Sequence, residues 1–101
     1  MELTSKQRAQ LRAMANSIDP IVHIGKGDMT PNLIRQAEEA LEARELIKCR
    51  VLETSELSPR EAADALARAA RAEVVQVIGT KFVLYRQSHK KEKKDKIVLK
   101  K

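Results

Sequence analysis

Apolar and polar residues follow two different periods along the chain, and these predict helices and strands in turn. Apolar residues three and four positions apart predict three helices, at residues 4–17, from Pro31 onward, and from Pro59 to about Arg71. Short apolar or alternating runs predict four strands, at residues 21–24, 46–53, 74–78 and 82–86. The predicted order of elements is therefore α-β-α-β-α-β-β.

Residues with capping and turn preferences lie between these segments. Thr4 and Gln7 have the spacing of a capping box, and a second box starts at Ser58. The short connection Gly79-Thr80-Lys81 predicts a β-hairpin between the last two strands. Two strand-helix-strand units imply parallel pairing with right-handed crossovers, and the hairpin adds an antiparallel pair. The predicted fold class is α/β (α+β), a four-stranded mixed sheet packed with helices.

The first predicted strand ends in a loop that contains two of the three glycines in the chain. Gly25 and Gly27 flank Lys26, and glycine permits the sharp turn that leaves backbone N–H groups exposed. Thr30 is a favourable N-cap and Pro31 suits the first helical position, so the loop delivers the positive end of a helix dipole. These residues predict a loop that contacts phosphate groups.

The second predicted strand has one apolar and one basic face. Ile47, Cys49 and Val51 alternate with Lys48 and Arg50, so the two sets point to opposite sides of the sheet. The basic side is either a contact for an anionic partner or an ordinary solvated face whose charges pair with carboxylates.

The net charge of +6 is concentrated at one end of the chain. Residues 1–85 carry 12 basic and 12 acidic side chains, whereas residues 86–101 carry eight basic and two acidic ones. A segment this polar predicts a mobile, extended basic arm of the kind found in nucleic-acid binders, or a tail that serves solubility. Ile97-Val98-Leu99 interrupts the charges, and the alternative is that this stretch docks on the body.

The composition disfavours several classes of protein. Cys49 is alone, and His23 and His89 are far apart with no zinc-ligand spacing. The glycine loop lacks the longer pattern of a nucleotide-binding P-loop, and no acid–base pair stands out. We therefore expect that the protein is not an enzyme and that it binds no metal or cofactor. No apolar run approaches the length of a membrane span, and we expect a monomeric, cytoplasmic protein with no membrane partner.

Six segments, taken in order, carry a resemblance to a known family: Pro20-Ile21-Val22-His23-Ile24-Gly25-Lys26, Thr30, Ala40-Leu41-Glu42, Glu45-Leu46-Ile47-Lys48, Val75-Gln76-Val77-Ile78-Gly79 and Val83-Leu84-Tyr85-Arg86. Together they resemble the CRM domain, named for chloroplast RNA splicing and ribosome maturation, and its stand-alone bacterial YhbY-like form. The resemblance spans about Leu3 to Arg86, so we predict a single domain at residues 1–86 followed by a basic tail at residues 87–101. It implies a fold similar to the C-terminal domain of translation initiation factor three, RNA binding, and association with precursors of the large ribosomal subunit.

The family's signature is a GxxG loop between the first strand and the next helix, and here the match is imperfect. Gly25 fits the first glycine, but the fourth position is Asp28. A carboxylate there repels a phosphate by about 1 kcal/mol in a wet, screened site. Aspartate tolerates left-handed backbone, and its carboxylate can turn away to bond nearby N–H groups such as those of Met29 or Thr30. The loop is then either an RNA contact or a purely structural turn.

We therefore predict a protein that binds structured RNA, with rRNA of the large-subunit precursor as the expected target. Phe82 and Tyr85, the two aromatic residues, lie in an apolar strand, which disfavours recognition of single strands by base stacking. The predicted contacts are Gly25, Lys26, Gly27, Asp28, Met29, Thr30, Lys48, Arg50, Arg86, Lys90, Lys91, Lys93 and Lys94. The alternative is a protein-interaction module that docks through the charged faces of its second and third helices without contacting RNA.

Overall fold

The computed structural model describes residues 2–89 and 96–100, and the elements follow the predicted order. They are α1 (Ser5–Ala15), β1 (Pro20–Ile24), α2 (Pro31–Arg44), β2 (Leu46–Val51), α3 (Pro59–Ala70), β3 (Glu73–Ile78) and β4 (Lys81–Tyr85). The predicted α+β class with a four-stranded mixed sheet is confirmed. Within the described ranges, no helix is long and apolar enough to cross a membrane.

The helix starts form where the capping residues predict them. Thr4 and Ser58 each accept a hydrogen bond from the backbone N–H three residues on, and both capping boxes are complete. α1 ends at Ala15, two residues before the predicted limit. Its last turn tightens into bonds between residues three apart, such as that from Ile18 N–H to the carbonyl of Ala15 at 3.2 Å, and the chain then enters β1.

The strand order is β1-β2-β4-β3, which corrects one detail of the predicted pairing. β1 and β2 pair in parallel as expected, but β4 lies between β2 and β3 and is antiparallel to both. The second strand-helix-strand unit therefore places its strands parallel without pairing them. Residues Phe82–Tyr85 are all buried, and a continuous apolar run of this kind favours a central strand covered on both faces.

The sheet separates two apolar cores. α2 and α3 cover one face, where Phe82 and Leu84 of β4 join Leu41 and Leu66 of the helices. α1 covers part of the opposite face, which we call the α1 side. Buried residues of this smaller core are Leu3, Leu11, Ala15, Leu46, Val75, Val83 and Tyr85.

The described part of the C-terminal segment is attached to the body. Glu45, the residue after α2, is fully buried and its carboxylate accepts the N–H groups of Ser88 and Ile97, each at 2.6 Å. Ile97 and Leu99 pack against the core under α1, so the docked alternative is the one that the structure shows for this stretch. We call residues 96–100 the strap.

Candidate nucleic-acid interface

The loop between β1 and α2 is a tight turn with a lysine at its tip. The N–H of Asp28 donates to the carbonyl of Gly25 at 3.0 Å, which places Lys26 and Gly27 at the two central positions. Gly27 has φ of 92°, a left-handed conformation that glycine adopts without steric cost. Lys26 and Gly27 are exposed. We call residues 25–28 the Gly-Lys-Gly-Asp loop, and its outer surface is open to a ligand.

A second loop supports this turn from behind. At Gly25 a Cβ would lie 3.0 Å from the hydroxyl oxygen of Thr54, so the absence of a side chain permits close approach of the chain that follows β2. The hydroxyl of Ser55 donates to the carboxylate of Asp28 and accepts the N–H of Leu57 at 3.1 Å. The two loops therefore hold each other at the end of the sheet where β1 and β2 stop.

Asp28 behaves as predicted in its backbone and differently in its side chain. Its φ is 49°, the left-handed conformation that aspartate tolerates. The carboxylate hydrogen-bonds Ser55, however, whereas the expectation was the N–H groups of Met29 or Thr30. A partner 27 residues away could not be recognised from local spacing. The carboxyl group is thereby directed toward the supporting loop.

Two other residues of the predicted site serve the start of α2. The hydroxyl of Thr30 accepts the N–H of Leu33 at 3.2 Å, so it acts as the N-cap. Met29 is half-buried and packs against the core beneath α2 and α3. Both residues position the loop, and Lys26 is its exposed cation.

The basic residues of β2 lie on the α1 side, beyond the part of the sheet that α1 covers. His23 is in register with Arg50, and Arg50 with Lys81, so their side chains share one face. All three are exposed, and they form what we call the basic row. Lys48, one pleat earlier on β2, is half-buried. Within the described part of the chain, none of these residues forms an ion pair, so the paired alternative for Lys48 and Arg50 is not realised there.

Neither Lys81 nor His23 is among the contacts predicted from the sequence, because their neighbours are set by the sheet. Lys81 starts β4, and only the pairing of β4 with β2 brings it beside Arg50. The hairpin signal at Gly79 predicts the pairing of β4 with β3, and it does not predict that β2 is the other neighbour of β4. The basic row begins where the Gly-Lys-Gly-Asp loop leaves β1, so loop and row meet at one sheet edge.

Arg86 lies at the other end of β4 and has internal partners. Its guanidinium donates to the carbonyls of Ala70 at 2.8 Å and Glu38 at 3.3 Å, and it forms an ion pair of 3.2 Å with Glu42. The pKa of Glu42 is lowered, mainly by the hydrogen bond from the Ser88 hydroxyl. The hydrogen bond from the backbone of residue 89 and the charge of Arg86 lower it further. This cluster anchors the chain after β4, apart from the loop and the row.

The last residues to place are the four predicted lysines of the tail and the two aromatic side chains. Lys90, Lys91, Lys93 and Lys94 lie outside the described residues. Phe82 and Tyr85 are buried, so neither presents a ring on which a base could stack. Contacts from this surface are therefore suited to phosphates and to the shape of a folded nucleic acid.

Charge is distributed unevenly between the two sides of the sheet. α1 contains Lys6, Arg8 and Arg12 and no acidic residue, and it lies on the same side as the basic row. On the other side, α2 and α3 mix both signs, with five acidic and four basic residues between them. A body whose charges sum to zero thus presents a basic side.

Comparison with known proteins relates this chain to one family and to proteins named for RNA binding. The family model for the CRS1 / YhbY (CRM) domain matches residues 3–86. The chain is 47% identical over 86 residues to the "Probable RNA-binding protein YqeI" of Bacillus subtilis, covering 85% of this chain and 90% of that protein. An "RNA-binding protein" of Haemophilus influenzae is 34% identical over 86 residues, covering 85% and 87%. The solution structure of the hypothetical protein SAV1595 from Staphylococcus aureus matches 98% of this chain and 100% of its own, with 47% identity and a TM-score of 0.79.

Proposed function

The chain belongs to the CRS1 / YhbY (CRM) domain family, and on this premise we propose that it binds structured RNA through the Gly-Lys-Gly-Asp loop and the basic row. The observation that carries the proposal is the position of Lys26, exposed at the tip of a supported turn that follows β1, at the end of the sheet that also carries Arg50 and Lys81. Cations held at one sheet edge fit a run of phosphates. The names of the relatives support RNA as the nucleic acid.

The chemistry of the surface favours recognition of backbone and shape. Lysine and arginine side chains neutralise phosphates, and the affinity they supply falls as salt rises because bound counterions are released. No exposed phenylalanine, tyrosine or tryptophan ring is available in the described residues for stacking an unpaired base. A folded RNA, whose helices present ordered rows of phosphates, is therefore the ligand that this surface suits.

The finer proposal concerns the target. We expect rRNA of the large-subunit precursor, bound by a cytoplasmic monomer during ribosome assembly. The supports are the resemblance to stand-alone bacterial members of the family and a surface that recognises folded RNA without reading bases. Sequencing the RNA that crosslinks to the protein in cells tests this target, and enrichment of other RNA classes over rRNA would contradict it.

The decisive experiment on the loop reverses one charge. Lys26→Glu should weaken binding to a transcript of large-subunit rRNA about tenfold or more, because one phosphate contact is replaced by repulsion. The plot of log affinity against log salt should become shallower by about 0.7 to 0.9. Arg68→Glu is the matched control, since it makes the same charge change at an exposed position on α3, remote from the loop.

Two further measurements are needed to interpret this comparison. Circular dichroism melts should show that both variants stay folded, because neither residue is buried. Polyuridine, an unstructured RNA, should bind wild type more weakly than the transcript does. Equal losses for Lys26→Glu and Arg68→Glu would mean that only net charge matters, and would reject the loop as a specific contact.

A further inference from the structure

The strap is held to α1 by hydrogen bonds between glutamine side chains of the helix and the backbone of the strap. The side-chain oxygen of Gln10 accepts a hydrogen bond from the N–H of Lys100 at 2.8 Å, and its NH2 group donates to the carbonyl of Val98 at 2.8 Å. Gln7, one turn earlier, donates to the carbonyl of Lys100 at 3.0 Å. With Glu45 binding the N–H of Ile97, three side chains fix the backbone of five residues.

The strap alternates between the core and the solvent. Ile97 and Leu99 are half-buried and pack against the core under α1, whereas Val98 and Lys100 are exposed. This period of two is that of an extended segment lying on a surface. Lys100 belongs to the outward set, and Lys96 at the start of the strap is half-buried. Docking therefore fixes the backbone that carries both cations.

The surface around the strap is mainly basic, with Asp19 as an acidic residue in the groove beside Ile97. Lys6 and Arg12 of α1 are exposed, whereas Arg8 is half-buried and its guanidinium donates to the carbonyl of Val74. α1 itself contains no acidic residue. Bringing Lys96 and Lys100 beside this helix gathers like charges that repel one another in the free protein. A polyanion lying along α1 relieves that repulsion.

The strap is also continuous with the proposed RNA surface. Ile97 and Lys48 line the same groove at the end of α1, next to Met14 and Ile18. Lys48 is one pleat away from Arg50 of the basic row and shares its face. A path of basic side chains therefore runs from the loop, along β2, to the strap and α1.

We infer that the docked strap and α1 form a second phosphate-binding track, which extends the RNA footprint beyond the loop and the basic row. This inference rests on the proposed RNA binding and names the part of the partner that it adds: a second stretch of sugar-phosphate backbone in the same folded RNA. Gln7, Gln10 and Glu45 are positioning residues for this track. A basic tail acting as a free arm would need none of them.

The test separates docking from charge. The pair Gln10→Ala and Ile97→Ser releases the strap while retaining every lysine, and loss of protection of the Lys100 amide in hydrogen exchange verifies the release. The pair Lys96→Gln and Lys100→Gln keeps the strap docked and removes its charge. Affinity for the large-subunit rRNA transcript is measured over a series of salt concentrations for the full chain.

Both pairs should bind about three- to tenfold more weakly than wild type, with a slope against log salt shallower by about 1 to 2. Unchanged or stronger binding on release would identify a free arm and overturn the inference. A lower melting temperature with an unchanged slope would identify a purely structural staple, and overturn it as well. Where release unfolds the protein, the lysine pair decides alone.

The outcomes also distinguish this inference from the proposed function. If Lys26→Glu weakens binding and both strap pairs bind like wild type, the second track fails and the loop proposal stands. If Lys26→Glu and both strap pairs all bind the transcript as well as the wild-type protein does, the proposed function itself fails. If the slope against log salt becomes shallower in the strap pairs, and by more than it does in Lys26→Glu, the result supports both the loop proposal and the second track.

Discussion

Glu45 is the buried group on which the attachment of the C-terminal segment depends most directly. Its carboxylate accepts two backbone N–H groups, from Ser88 and Ile97, and the residue is fully buried with φ of 67°. Glu45→Gln keeps the shape of the side chain and changes one acceptor oxygen into an NH2 donor. One of the two N–H groups then faces a donor, and the other keeps a neutral acceptor.

The size of the effect follows from the bonds that change. A hydrogen bond to a charged group contributes about 1.5 to 3 kcal/mol, and a buried N–H left without an acceptor costs a similar amount. Removing a buried charge recovers part of this, because a desolvated carboxylate is itself unfavourable. We expect Glu45→Gln to lower the free energy of unfolding by about 2 kcal/mol, or the melting temperature by about 8 to 16 °C.

The assay combines chemical denaturation with amide hydrogen exchange. In the wild type, the amides of Ser88 and Ile97 should be protected, and in Glu45→Gln both should exchange much faster. Glu42→Gln is the control, since Glu42 also accepts hydrogen bonds from this segment but is solvent-accessible, and its loss should destabilise the protein less. Wild-type stability and protection in Glu45→Gln would refute the assigned role of the buried carboxylate.

Two further predictions concern the loop and the core. Asp28→Gly removes both the left-handed strain and the hydrogen bond from Ser55, so stability should change by less than about 1 kcal/mol and RNA should bind at least as tightly. Ser55→Ala removes the bond alone, and a marked loss of affinity in both variants would show that the bond is required for binding. Burial raises the pKa of the Cys49 thiol to about 12 from 9.0, so its contribution to stability is complete below pH 9 and is lost as pH rises toward 12. Urea titrations should therefore show the wild type losing about 1 kcal/mol more than Cys49→Ala between pH 8 and pH 10, and equal losses would contradict it.

Local signals in the sequence located the elements and the turn. Capping residues are separated from their partners by three positions, so Thr4 and Ser58 could be recognised without knowing the fold. The same holds for Gly27, whose positive φ is a property of its own backbone. These predicted features agree closely with the structure.

Features that depend on distant segments could not be predicted in this way. Arg86 looks like any basic residue at the end of a strand, and only the packing of α2 and α3 against β4 gives it internal acceptors. Glu45 looks like a charged residue at a helix end, yet the returning chain buries it. In both cases the deciding partners lie more than 15 residues away.

The position of β4 explains why Lys81 was overlooked. Predicted pairing followed chain order, whereas the buried run Phe82–Tyr85 requires cover on both faces and so takes the centre of the sheet. Placing β4 beside β2 aligns Lys81 with Arg50 and extends the basic row by one strand. The sequence shows the apolar run of β4, and this run favours a central strand without indicating which strands lie beside it.

Net charge is a poor guide to this surface, because the sheet separates the charges. Residues 1–85 sum to zero, yet Lys26, Arg50, Lys81 and the cations of α1 lie at the edge and on the α1 side of the sheet. A phosphate at this surface experiences these nearby cations, while charges on α2 and α3 lie behind the sheet and are increasingly screened by salt. Reversing a charge in the loop or on the α1 side should therefore change RNA affinity far more than the same reversal on α3. The comparison of Lys26→Glu with Arg68→Glu measures this asymmetry directly, since the two variants have identical net charge.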